Sequence, residues 1–220
     1  MGLLALAASF LVIGALGVSP PLRQVAPRSF EGYEIRPFQL EVEVFPGQHE
    51  TFNGTVEQIL AQVRKRNANW DEQIGAAVAG NSLDWSEPGL AGRDVNYEPQ
   101  TETDVSQGRY WCGPTHDYCI KYRLYSGLEY LGRIARVPAH AEPGPKYCTR
   151  VSCSWQASIW FCNDSDKDLW IDSFQMIIDG VRWIIYWCEM RVADSNQWYV
   201  AGGLYLGNWH IVVRRDPDRC

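Results

Sequence analysis

The chain has 220 residues and a net charge of −6, and it is rich in aromatic side chains, with ten tryptophans and eleven tyrosines. No Lys/Arg-rich stripe offsets the acidic balance, so a phosphate backbone finds little to hold and no nucleic-acid partner is expected. About 200 residues suffice for one good core, or for two small ones sharing an interface.

Residues 1–17, MGLLALAASFLVIGALG, contain no charged side chain and are almost wholly apolar. Small residues at Ala15 and Gly17 occupy the two positions that a signal peptidase inspects. The apolar run is short for a membrane span and lacks a basic flank, so it reads as a signal peptide, with a retained N-terminal anchor as the alternative. The expectation is an extracellular, secreted protein without a transmembrane span. Residues 18–32 are proline-rich and non-periodic, a flexible leader.

An N-terminal strand-helix unit is expected over 33–66. Leu40, Val42 and Val44 alternate with Gln39, Glu41 and Glu43, the period of a half-buried strand, and Pro46-Gly47 ends it. Thr55 with Gln58 three residues on forms a capping box. Val56, Ile59, Leu60 and Val63 then predict an amphipathic helix to about Arg66. Arg64-Lys65-Arg66 suits the negative pole of that helix; a processing-protease site is the alternative. Residues 67–108 read as a long irregular surface segment, with one turn of helix at 74–78.

A cysteine-containing α+β domain is expected over 109–220. Ile120, Leu124, Leu128, Leu131 and Ile134 predict a helix over 118–135, followed by a Pro/Gly-rich loop at 138–145. Val151, Cys153, Trp155, Ala157, Ile159 and Phe161 alternate with serines and Gln156, which predicts a single strand with one polar face. Asp172 can cap a helix whose apolar face runs from Phe174 to Cys188 and which ends near Met190. Two strands, about 198–206 and 209–214, flank Gly207-Asn208 as a hairpin. The fold class predicted from this order is α+β, a disulfide-stapled two-layer sandwich with helices on one face of a mainly antiparallel sheet.

All seven cysteines, Cys112, Cys119, Cys148, Cys153, Cys162, Cys188 and Cys220, lie in the second half. In an oxidising compartment most of them pair, and the odd number leaves one over. Cys188 at a helix end and Cys162 at a strand end meet if helix and sheet pack; alternation does not decide whether Cys153 joins Cys220. Asn53-Gly54-Thr55 and Asn163-Asp164-Ser165 make Asn53 and Asn163 N-glycosylation candidates.

No constellation supports catalysis. Trp111-Cys112-Gly113-Pro114 looks like half of a thioredoxin-type site, but Thr115 stands where the resolving thiol belongs. His140, Glu142, Cys148 and Cys153 resemble a zinc deaminase set, but all fall within one Pro/Gly loop and its flank instead of on two helices. His116 and Cys119 lack a third, orienting group. Asp164, Asp166, Asp168 and Asp172 lack the glycine and glutamate of a calcium loop, since Leu169 and Gln175 occupy those places. His210 reads as a surface residue on its strand. No metal and no cofactor are expected. Trp183 and Trp187, four apart on the last helix, are a candidate contact surface, with core packing as the plainer reading.

The second half resembles a group of small secreted proteins of filamentous ascomycete fungi, discussed as candidate effectors. The resemblance rests on Cys112-Gly113, LEYLGRI at 128–134, Pro143-Gly144-Pro145, Cys148, Arg150 to Trp155 and IWFCND at 159–164. It continues through Gly202-Gly203, Asn208-Trp209, Ile211 to Arg214 and Cys220, with Phe52-Asn53-Gly54-Thr55 near the start. In that group's pattern Cys119 is the extra, free cysteine. Cys112, Cys148, Cys153, Cys162, Cys188 and Cys220 are then left for three bridges, with fifteen pairings open. A more distant likeness is to KP4-type killer toxins, on Gly180 to Cys188 followed by Gly202-Gly203 and 209–213. Net acidity and different cysteine spacing set this chain apart from them. The resulting expectation is a monomeric, non-catalytic binding protein, an effector or toxin-like factor whose target is a protein, a membrane surface or a cell-wall glycan. An extracellular carbohydrate-active enzyme or lectin is the alternative.

Overall fold

The computed structural model describes residues 32–80, 105–114, 117–192 and 195–216. The apolar leader, most of the proline-rich segment, residues 81–104, His116 and Cys220 lie outside the described residues.

Strand β1 (Glu34–Arg36) is followed by the hairpin β2 (Gln39–Phe45) and β3 (Gln48–Asn53). The alternation of β2 is as expected, with Leu40, Val42 and Val44 buried. β3 buries only Phe52 and has no apolar period, so its pairing with β2 is what defines it. Helix α1 (Val56–Arg66) starts where the capping box places it, with Gln58 Oε1 accepting the Thr55 N–H at 3.0 Å. Its basic end is a partnered helix terminus: Arg64 pairs with Asp71 at 2.7 Å and Arg66 with Glu50 at 3.3 Å. Beyond it the chain is more ordered than an irregular surface segment. Trp70 is fully buried and donates its indole N–H to Glu43 O at 2.8 Å. This anchor precedes a π-helical turn at Asp71–Gly75 that runs into α2 (Ala76–Val78).

The second half contributes β4 (Arg109–Cys112), β5 (Cys119–Ile120), α3 (Lys121–Gly132), β6 (Ala139–Ala141), β7 (Tyr147–Ser154), β8 (Ala157–Asn163) and β9 (Leu169–Ile171). These lead into α4 (Phe174–Cys188), then β10 (Met190–Arg191), β11 (Trp198–Val200), β12 (Gly202–Leu206) and β13 (Trp209–Arg215). Six strands form one sheet in the order β1-β7-β8-β13-β12-β4, antiparallel except where β1 joins β7. Helices α3 and α4 cover one of its faces, so the fold is α+β.

Three expectations need correction. The alternating stretch from Val151 to Phe161 is two strands, because Trp155 and Gln156 form a tight turn between β7 and β8. Alternation cannot reveal a two-residue turn that no Gly, Pro or Asn marks, and a bulge at Val151 shifts the faces further. Ser152 and Ser154 therefore pair with Ile159 and Ala157 on the helix-covered face, while Cys153 pairs with Ser158 on the other. The cap of α4 is Ser173, one residue after Asp172. The segment from Trp198 is also broken: β11 pairs with β5 and β10, and only Gly202 onward joins the terminal hairpin.

One hydrophobic cluster runs from Phe38 to Val213, so β2, α1 and the cysteine-bearing half share a core. Glycine lets both helices lie close to the sheet. A β-carbon on Gly180 would collide with Ile211, and one on Gly127 with the Ser152 hydroxyl. Another joint is Glu57 of α1, whose Oε1 accepts from the hydroxyls of Ser152 and Ser154 and from the Cys153 N–H. No helix among the described residues is long and apolar enough to cross a membrane.

Candidate functional site

The edge strand β4 lies against the C-terminal half of α4. Alternation along it sends Tyr110 and Cys112 towards the helix and Trp111 to the opposite face, and the Cys112–Cys188 disulfide bolts strand to helix. Around that bolt the aromatic rings meet. Tyr110 stacks on Trp187 with centroids 5.2 Å apart and planes 17° from parallel. Tyr186 and Trp183 meet Trp187 edge-on, at 5.0 and 5.9 Å. Tyr110, Tyr186 and Trp187 are 38%, 54% and 46% exposed, and Trp183 is half-buried beneath them. The spacing of Trp183 and Trp187 is what made the surface legible in the sequence. Tyr110 was missed, because nothing local says which strand will lie beside the helix.

The reason the surface is aromatic only on this side follows from the helix. Ile177, Val181 and Ile184 lie on the side where Gly180 meets the sheet, and they and Ile178 are fully buried. The indole N–H of Trp183 is buried without a hydrogen-bond partner. Such a group carries a desolvation cost.

A second cluster sits on the face of the sheet away from α3 and α4. Directly opposed residues on neighbouring strands put Cys148, Cys162, His210 and Tyr205 in one row across β7, β8, β13 and β12. His210 is 1% exposed, which corrects its reading as a surface residue. Its Nδ1 lies 2.7 Å from Asp164 Oδ2, and the Tyr33 hydroxyl donates to Asp164 Oδ1 at 2.7 Å. Burial opposes the Asp164 charge, but the His210 contact and the Tyr33 hydrogen bond together hold its carboxyl below the usual range. Burial and then the Asp164 hydrogen bond push the Tyr33 phenol up, and burial does the same for Tyr205.

This row brings two sulfurs and an imidazole nitrogen within 4.8 Å of one another, the one metal-like grouping among the described residues. The sulfurs are bonded to each other as the Cys148–Cys162 disulfide. A metal needs thiolates, so the donor set does not fit one as it stands. Catalysis by the His210–Asp164 pair lacks its third member too: no serine, threonine or free thiol is bonded to the imidazole among the described residues.

No family model, curated protein or solved structure matches the chain.

The remaining sequence candidates separate cleanly. Cys162 and Cys188, read as partners, instead bond Cys148 and Cys112, because Cys148 lies directly across from Cys162 and β4 lies along the helix end. Cys153 is disulfide-bonded as well, and the remaining cysteine, Cys220, is outside the described residues. Cys119 is free and buried; its thiol donates to Val200 O, and burial pushes its pKa up to about 12, which makes it inert. Asn53 is exposed at the end of β3 and can carry a glycan. Asn163 is fully buried. Its amide donates to Glu142 O and Lys167 O at 3.0 and 2.7 Å, so the folded protein has no room for a sugar there. Asp168 pairs with His140 at 2.9 Å, and His140 stacks on the exposed Trp170.

Proposed function

We propose that this is a secreted, non-catalytic binding protein of the effector or toxin-like kind, whose contact surface is the aromatic patch of α4 and β4. The observation that carries this reading is the exposure of Tyr110, Tyr186 and Trp187 around a disulfide that fixes them. Clustered, rigid aromatic side chains are the commonest anchors of protein interfaces. Their interlocked arrangement favours a protein target over a polysaccharide: Tyr110 already covers one face of Trp187, and edge-on contacts leave no row of open rings for successive sugars. The disulfides support an oxidising compartment, and with it the secretory reading of the leader.

A second reading, an extracellular carbohydrate-active protein or lectin, has one observation in its favour. Trp170 is 66% exposed beside His140 and Asp168, an indole face flanked by hydrogen-bonding groups. A glycan array and a hydrolysis screen on the purified protein, run with Tyr186→Ala/Trp187→Ala and Trp170→Ala, separate the two. The first reading expects no sugar retention or turnover, and loss of extracellular target capture in the α4 double variant alone. Reproducible sugar turnover, or glycan binding abolished by Trp170→Ala, refutes it.

A further inference from the structure

The turn between the two longest neighbouring strands of the sheet is built from residues that disfavour it. Trp155 and Gln156 both have left-handed backbones, with φ of 51° and 67°. A tight hairpin with two such residues normally takes Asn-Gly, because a β-carbon crowds the following carbonyl. Here the conformation is held from three sides. The Asp216 N–H donates to Gln156 O at 3.0 Å, Arg123 Nη1 donates to Trp155 O at 3.2 Å, and Arg215 Nη2 lies 3.5 Å from Gln156 Oε1. What the strained turn presents is an indole 70% exposed, the most exposed large hydrophobic side chain among the described residues. Backbone strain and an apolar group left in water both disfavour the free protein, and burial of the indole in something else offsets them.

The surroundings say what that something is. Arg150, Arg214 and Lys121 at this end pair with Asp216, Asp117 and Glu189. Among the described residues Glu57 is the other carboxylate nearby, and it is hydrogen-bonded to Ser152, Ser154 and the Cys153 N–H. Arg123 and Arg215 form no ion pair with a described carboxylate, and their guanidiniums touch the turn itself. Tyr122, 58% exposed, lies beside Arg123. A convex tip with an indole at its centre, a phenol beside it and two guanidiniums that pair with no described carboxylate matches one environment. Tryptophan and tyrosine partition to the lipid–water boundary, and guanidiniums take phosphates bidentately.

We propose that the β7–β8 turn docks on an anionic phospholipid surface, with Trp155 at the acyl boundary and Arg123 and Arg215 on lipid phosphates. The surface is separate from the α4–β4 patch, and its test does not depend on that patch. The purified full chain is floated with phosphatidylcholine vesicles and with vesicles containing phosphatidylserine, at low and high salt. Wild type should bind the anionic vesicles alone and be released by salt. Arg123→Gln/Arg215→Gln should weaken binding about thirtyfold. Trp155→Asn/Gln156→Gly should weaken it roughly tenfold or more while leaving the melting temperature unchanged or higher, because it supplies the residues the turn prefers. The proposal is overturned if wild type binds neither vesicle or both equally, if either variant binds as wild type does, or if Trp155 proves instead to anchor a protein partner with no vesicle binding.

Discussion

The two faces of the six-stranded sheet are built by different physics. On the helix-covered face, Ile159, Phe161, Ile211, Val213 and Leu204 are packed without exposure against α3 and α4, and any apolar residue of suitable volume serves that non-directional purpose. The other face relies on specific pairs: a disulfide between opposed cysteines, Asp164 held between His210 and Tyr33, and Arg150 between Trp160 and Asp216. Its apolar cluster is small, comprising Cys148, Trp160, Cys162 and Val212 with Tyr33 and Trp111 alongside. Where the apolar cluster is small, directional and covalent links supplement it.

Substitutions on each face test that contrast. The largest loss is expected from Phe161→Ala, about 4 kcal/mol by chemical denaturation, from lost burial and the cavity left among the helices. Cys148→Ala/Cys162→Ala opens a loop of 14 residues and should cost about 3 kcal/mol. A loss well below that would mean the face away from the helices is held by packing after all. Asp164→Asn removes the charge that His210 and Tyr33 share, at about 1–2 kcal/mol near neutral pH. Because the folded carboxyl lies below its unfolded value, this contribution is present above pH of about 4 and fades as pH falls further. The wild type should therefore lose its advantage over Asp164→Asn in acid. Tyr33→Phe is the mildest change, about 1 kcal/mol. The raised Tyr33 phenol predicts stability lost as pH rises past about 10, and the phenylalanine variant should show a flatter alkaline limb.

The same contrast explains what the sequence could tell. Burial leaves a period, so β2, α1, the helical stripes of α3 and α4 and the Gly207-Asn208 hairpin were all readable from one chain. Pairing depends on register, which leaves none. Nothing local links Asp164 to His210, and His210 was misread as a surface residue for that reason. The Trp155-Gln156 turn was invisible because its residues are the ones a turn avoids. Trp183 and Trp187 were found from their helical spacing, while Tyr110 and the Cys112–Cys188 bolt, which turn two tryptophans into a surface, come from a strand that lies 76 residues from its partner cysteine.

The proposed contact surface requires that β4 be clamped to α4, and non-reducing peptide mapping of the native protein tests this directly. Peptides joined through Cys112–Cys188 and through Cys148–Cys162, with Cys119 unmodified and unreactive until the protein is unfolded, are the expected result. A Cys162–Cys188 bridge, or a Cys112 thiol that reacts in the native state, would contradict it.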